Sequence, residues 1–489
     1  MKYSNPIVRG MYPDPSVCRA NGKYYMVCST MMYFPAVPLF ESDNLVNWRQ
    51  IGHCLTRDSQ VCLEGAEITS GIFAPTIRYN NGRFYMVTTN AVDHRNFYVY
   101  TDDIYGEWSD PIYVDQDGID PTLFFEDGRC WFISNGADEQ GSRIQMSEIN
   151  VETGEIITPA AVLWRGTGGR FMEAPHLYHV GEYYYVLDAE GGTEYGHMVN
   201  YGRGRSMMGP FEPFKGNPAL TNRNFAPYVI QGAGHGDLIE DYNGNWWFIH
   251  LAFRQSGLWM PYHHLGREVC LVPVTFEDGW FTFGEGVCSL EYDIPDLPEV
   301  SQNFSYKKTL ANISEGMEGC YLRRCDKEKY HFGENCLEMT ASQSPFEKNP
   351  YPSFVGIRQC EFEENICCTV ESCCDEAGIT LFMDEHHHYD AFVDRNGLVR
   401  LRMTIGCVSQ QTEGIKTEGA VKFIINANPY GYDFTAVLSS GESVNLGYAD
   451  TKYLSSEVAG GFTGVVTGLY AVGSPDTKAV FTDLLIEHE

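Results

Sequence analysis

One short pattern, repeated five times in the first 250 residues, constrains this chain more than any other feature. It is a glycine, any residue, two mostly aromatic residues, one more residue, then Val or Ile. The copies are Gly22-Lys23-Tyr24-Tyr25-Met26-Val27, Gly82-Arg83-Phe84-Tyr85-Met86-Val87, Gly128-Arg129-Cys130-Trp131-Phe132-Ile133, Gly181-Glu182-Tyr183-Tyr184-Tyr185-Val186 and Gly244-Asn245-Trp246-Trp247-Phe248-Ile249. Self-similarity at a roughly fixed period is the mark of repeat architectures. Successive glycines stand 46 to 63 residues apart, room for four short strands and their loops. The segment ahead of each glycine repeats as well: Asp14-Pro15-Ser16-Val17, Ala74-Pro75-Thr76-Ile77, Asp120-Pro121-Thr122-Leu123, Ala174-Pro175-His176-Leu177 and, more loosely, Gly236-Asp237-Leu238. Between them, Asn21-Gly22, Asn81-Gly82 and Asp127-Gly128 are tight-hairpin signals. Short strands, hairpin signals and one aromatic motif per repeat predict a five-bladed β-propeller over residues 1–295.

The repeat stops at Asp293-Ile294-Pro295-Asp296-Leu297-Pro298, a proline-broken stretch suited to a linker. From 300 to 489 strand-like runs such as Ala420–Ile425 and Gly468–Val472 alternate with Gly, Asn and Asp turns, and no long amphipathic helical window stands out. A β-sandwich is the expectation there, making the whole chain all-β.

A propeller's innermost strands line its axis, so equivalent positions in different blades converge. Asp14, Asp120 and Glu173 each precede their blade's glycine by eight residues, while blade two has Phe73 or Ala74 at that level and blade five has His235 or Gly236. Any one Asp-Pro pair reads best as a turn cap. Three acids in register around one cavity are another matter, because burying them is costly without a purpose. Glycoside hydrolysis uses such a set: one carboxylic acid protonates the leaving oxygen and one carboxylate activates water or attacks. A third acid nearby raises the proton donor's pKa and orients its partners. Calcium or magnesium ligation is the competing use of such acids, but they lack the spacing of a calcium loop.

Composition narrows the field further. The net charge of −31 and the absence of a basic run argue against nucleic acid and against an anionic membrane surface. The N-terminus has no apolar signal region, and no apolar run approaches a transmembrane length. The sixteen cysteines have no repeated spacing and none of the CxxC pairs of a zinc site. Reduced thiols in a cytoplasmic protein are the expectation.

At these residues the chain strongly resembles glycoside hydrolase family 43, the β-xylosidase and α-L-arabinofuranosidase group. The matching stretches run in the family's order: Asn5-Pro6-Ile7, Tyr12-Pro13-Asp14-Pro15-Ser16, Ala74-Pro75-Thr76-Ile77-Arg78-Tyr79, Gly118-Ile119-Asp120-Pro121, Glu173-Ala174-Pro175-His176-Leu177-Tyr178, Gly234-His235-Gly236-Asp237-Leu238 and Leu265-Gly266-Arg267-Glu268. The C-terminal part is similar to the sandwich that accompanies β-xylosidase-type members, around Glu376–Thr380 and His387–Asp390.

The resemblance implies an inverting exo-glycosidase acting on terminal α-L-arabinofuranosyl or β-D-xylosyl residues of short oligosaccharides. It implies Asp14 as general base, Asp120 as the carboxylate that tunes and orients the acid, and Glu173 as general acid. Inversion would place base and acid about 6.5–9.5 Å apart. Arg267 resembles the arginine that bonds sugar hydroxyls, a surface salt bridge with Glu268 being its alternative. His235 resembles the axis histidine that in some members meets water or a bound calcium; a satisfied structural histidine is its alternative. Phe73 stands where the family often has Trp, and Met31-Met32 where it often has an aromatic. With Phe34 they resemble the apolar wall of the sugar pocket, and the substitutions leave substrate identity open. No cofactor is implied for the chemistry, a homo-oligomer is compatible with the pattern, and two other readings stand beside the main one: a catalytically silent pentose-binding propeller, and a hydrolase of another glycan such as a fructoside or galactoside.

Overall fold

The computed structural model describes the chain apart from residues 258, 296, 315, 316, 345, 347 and 348, so Asp296 of the expected linker lies outside the described residues. Five four-stranded antiparallel sheets occupy the N-terminal part. Their innermost strands are Ser16–Ala20, Thr76–Asn80, Thr122–Glu126, Glu173–Val180 and Ile230–Glu240. Each packs against the next, and the fifth packs against the first, which closes the ring of a five-bladed propeller.

The predicted hairpins form for a local reason. Asn21, Asn81 and Asp127 take φ of 52°, 50° and 50°, and Gly22, Gly82 and Gly128 follow with φ of 81°, 87° and 75°. Two left-handed residues in succession make the turn whose twist matches its strands, and Asn, Asp and Gly tolerate that conformation best. The aromatic doublets then alternate between the two faces of each sheet and fill the spaces between blades. Tyr25 meets Phe84, and Tyr85 meets Phe125, with ring centroids 5.3 and 5.1 Å apart. Chain ends are tied across the ring: Lys2–Ser4 pairs with Glu291–Asp293, and the Ile7 amide donates to the Val269 carbonyl at 2.8 Å.

From Tyr306 onward two large antiparallel sheets pack face to face around one apolar core that includes Ile357, Ile379, Leu381, Phe423, Phe434 and Phe481. One of these sheets continues into the propeller, because Tyr33–Phe34 pairs with Cys320–Leu322. A second apolar cluster spans both domains, joining Met32, Phe34 and Leu39 of blade one to Phe354, Phe382 and Tyr470 of the sandwich. Beside it, Arg254 holds Glu268 of blade five and Glu361 of the sandwich in one buried ionic cluster. Desolvated charges of this kind specify a single relative placement more than they add stability. All sixteen cysteines are free thiols.

Candidate active site

Asp14 and Asp120 lie just ahead of their inner strands in the left-handed region, with φ of 58° and 53°. Asp accepts that conformation more readily than most residues, and strained backbone of this kind clusters at functional sites. Two residues later Ser16 pairs with Val27 and Thr122 with Ile133 across the hairpins. The equivalent pair in blade four is His176 with Leu187, so the positional counterpart of the two aspartates is Ala174, with φ of 55°, not Glu173. The matching height expected from glycine spacing is therefore corrected: Gly181 opens its turn, whereas Gly22 and Gly128 close theirs. An irregularity in strand pairing between Glu173 and His176 absorbs the one-residue offset. Asn135 braces the arrangement. Its Oδ1 accepts the Ile119 amide at 2.9 Å and its Nδ2 donates to the Met172 carbonyl at 2.8 Å, tying the backbone ahead of Asp120 to that ahead of Glu173.

Asp14, Asp120 and Glu173 line one inner pocket of about 70 Å³ together with Met31, Phe73, His235 and Arg267. Phe34 is the exception among the sequence-predicted residues. It is paired with Tyr321 and packed in the core shared with the sandwich, so it forms no part of the wall. Two residues that sequence reasoning missed complete the pocket, Thr193 and Phe462. Phe462 comes from the sandwich and meets the ring of Phe73 edge-on at 6.1 Å.

The inner pocket opens into an outer chamber of about 800 Å³, lined by Arg170, Phe171, Tyr195, His263 and Glu457 among others. Glu173 borders both spaces, whereas Asp14 and Asp120 border only the inner one. Phe171 projects into the outer chamber 64% exposed, and its φ of 53° is rare for so bulky a residue. Glu457 of the sandwich accepts from the His263 amide at 2.9 Å and from Tyr195 Oη at 3.0 Å, so the second domain supplies part of the chamber wall.

Electrostatics separate the two aspartates. Burial pushes the Asp14 carboxyl upward, but Arg267 at 3.3 Å, His235 at 3.6 Å and the Ser29 hydroxyl outweigh it, leaving Asp14 below the usual carboxylate range. Among the described residues Asp120 has only the Ala174 amide, at 3.1 Å, as a direct partner; burial, then Glu173, then Asp14 drive it well above that range. Arg267 is itself buried and also donates to Thr193 at 2.8 Å and to the Phe462 carbonyl at 3.2 Å. The salt bridge with Glu268 does not form, because Arg254 takes Glu268. For His235, burial depresses the imidazole against the opposing pull of Asp14 and Glu173.

Further along the inner strands, Asp237 receives Arg78, Ser16 Oγ at 2.6 Å, the Val17 amide at 3.2 Å and Tyr178 Oη at 2.7 Å. Arg78 also contacts His176 Nδ1 at 2.8 Å, and burial lowers that histidine to about 3. At this level Asp237 is saturated by these partners, the permanent guanidinium of Arg78 among them, so its charge is already compensated; His235, the residue expected to meet a cation, lies in the inner pocket instead. Among the described residues no group of three or more His, Cys, Asp or Glu is arranged to hold a metal.

A family model described as glycosyl hydrolases family 43 matches residues 3–281, and one described as a beta xylosidase C-terminal concanavalin A-like domain matches residues 316–484. A non-reducing end alpha-L-arabinofuranosidase of Bacteroides ovatus is 36% identical, covering 96% of this chain and 92% of its own. A xylosidase/arabinosidase of Butyrivibrio fibrisolvens is 33% identical, covering 98% of each. Among solved structures, the Bacteroides ovatus protein described as Xyloglucan PUL GH43B superposes with a TM-score of 0.91 at 34% identity, over 100% of this chain and 99% of that one.

Proposed function

The chain belongs to glycosyl hydrolases family 43, and from that premise we propose that it removes single terminal α-L-arabinofuranosyl or β-D-xylosyl residues from short oligosaccharides, with inversion. The observation that carries this reading is the position of Glu173 on the border between a small inner pocket and a chamber more than ten times larger. A terminal pentose seated inside would place its glycosidic oxygen at that border, with the rest of the chain outside. The inner space, about 70 Å³ against about 800 Å³ outside, leaves no room for a chain passing through.

In this reading Asp14 is the general base. It stays ionised because Arg267 and His235 favour its charge, and it takes a proton from water as the water oxygen bonds to the anomeric carbon. Glu173 is the general acid and gives its proton to the departing oxygen as the glycosidic bond breaks. Asp120 lies near both, fixing the segment that carries Glu173 through the Ala174 amide and resisting a further negative charge nearby. Met31, Phe73 and Phe462 form the apolar wall, and Arg267 and Thr193 present donors to sugar hydroxyls. The relatives named arabinofuranosidase and xylosidase/arabinosidase support both pentoses as candidates. Free thiols at the exposed Cys62 and Cys407 support a reducing, cytoplasmic site of action. The test is a panel of nitrophenyl glycosides, with product anomers followed by NMR. Release of the inverted sugar from a pentoside is expected. Retention of configuration, or hydrolysis confined to fructosides or galactosides, would sink the reading, and binding without turnover would favour a silent propeller.

A further inference from the structure

His197, just ahead of the strand Met198–Gly204, is completely buried and touches Glu173 from behind. Its Nδ1 lies 3.2 Å from the Gly232 carbonyl and its Nε2 lies 3.1 Å from Glu173 Oε1. A carbonyl only accepts, so the hydrogen-bond network assigns the proton of a neutral imidazole to Nδ1 and leaves Nε2 as a bare lone pair. A carboxylate oxygen facing that lone pair would be repelled. The contact is favourable when one proton lies between the two atoms, on Glu173 where the imidazole is neutral or on Nε2 where it is not. The ring is also held in place: a Cβ at Gly234 would come within 2.3 Å of Nδ1, and the His197 carbonyl accepts from Thr221 Oγ1 at 2.7 Å.

We propose that His197 is a positioning residue that keeps Glu173 protonated between turnovers, by presenting Nε2 as the acceptor for its O–H. This rests on Glu173 being the general acid. On substrate binding the glycosidic oxygen replaces Nε2 as the acceptor, by rotation about a soft terminal torsion. As the bond to the anomeric carbon breaks, the leaving oxygen takes the proton, while Asp14 takes one from the attacking water. Asp14 then releases its proton to solvent and Glu173 regains one, relieving the repulsion between its carboxylate and Nε2. The other charged groups facing this pair are Asp14, Asp120, His235 and Arg267, with Arg170 and Glu194 paired to each other at the rim.

The test is a series of aryl pentosides, from good to poor leaving groups, ended by an unactivated disaccharide. His197→Leu removes the acceptor, whereas His197→Gln restores one as an amide oxygen. The losses in kcat/KM for His197→Leu should grow by about tenfold or more from the best to the poorest leaving group. The basic limb of its pH profile should move to lower pH, and His197→Gln should fall between Leu and the parent. A uniform loss across the series with an unmoved pH limb would overturn the proposal. If the Leu variant does not fold, the basic limb of His197→Gln decides alone. In a Glu173→Ala background, His197→Leu should add nothing, and a further loss there would also count against it. Glu173→Ala by itself tests the underlying reading: equal losses for good and poor leaving groups would remove Glu173 as the acid, an outcome distinct from any result at His197.

Discussion

At the level of Asp237 the axis carries one carboxylate, one guanidinium and a full set of hydroxyl and amide donors. At the level of Asp14 it carries three acids and a guanidinium, Arg267, whose direct contact among the described acids is with Asp14. Both levels lie along the inner strands or the residues just ahead of them, and their aspartates are buried. They differ in how far charge is compensated, and that difference separates a structural site from a reactive one. A saturated carboxylate has nothing left to do except hold blades together. An uncompensated set has its protonation states pushed apart, as acid–base chemistry requires.

The largest effect that would break this comparison is on rate. Asp14→Asn keeps the shape of the base and removes its charge. The kcat/KM on nitrophenyl pentosides should fall by about 10³–10⁴-fold with an unchanged circular-dichroism spectrum. Near-parental activity would mean that the upper level is not the reactive one.

Next in size is a stability effect at the lower level. Arg78→Met leaves Asp237 buried without its charge partner, and thermal or denaturant unfolding should show a loss of about 3–5 kcal/mol. The pH dependence has a definite sign. Arg78 and the hydroxyl donors hold the Asp237 carboxyl far below its unfolded value. The stabilisation is therefore complete above an unfolded carboxylate value of about 3.9 and fades as pH falls towards the folded one. The parent protein should outlast Arg78→Met most clearly at neutral pH, and the gap should narrow in acid.

Asp120→Asn should do the reverse. Burial and two neighbouring acids raise this carboxyl in the folded state, so any stabilisation it offers is present at low pH and is lost as pH rises through its folded value. At neutral pH the neutral amide removes that cost. Unfolding should shift upward by about 1 kcal/mol while activity falls, the trade-off expected of a functional group held in an unfavourable environment. A destabilised Asp120→Asn protein would show that the upper level is compensated after all.

Legibility in the sequence followed the range of the forces involved. Asn21-Gly22, Asn81-Gly82 and Asp127-Gly128 announced their hairpins because turn conformation is decided within two residues. Those turns fixed blade number, and blade number brought Asp14, Asp120 and Glu173 to one place. Counting to the glycine nevertheless misjudged Glu173 by one position, since a turn glycine can stand first or second and a strand irregularity can absorb the shift. Phe34 was misplaced because the residues that bury it come from the sandwich, about 290 positions away. Phe462 reaches the pocket from the second domain, 195 residues beyond Arg267, and carries no local motif. His197 belongs to none of the repeated motifs, and its pairing with Glu173 depends on the carbonyl of Gly232; backbone acceptors leave no trace in side-chain patterns.

The smallest expected effect is none. Arg78 is covalently part of the axis and cannot be removed by a chelator, and its charge persists at any accessible pH. If the lower level holds the blades together without a metal, the unfolding temperature of the parent protein should be the same in EDTA and in added calcium. A stability lost in EDTA and regained on calcium addition at this level would require it to accept a second cation beside a guanidinium already shared by Asp237 and His176, and the contrast between a saturated and an unsaturated level would fail with it.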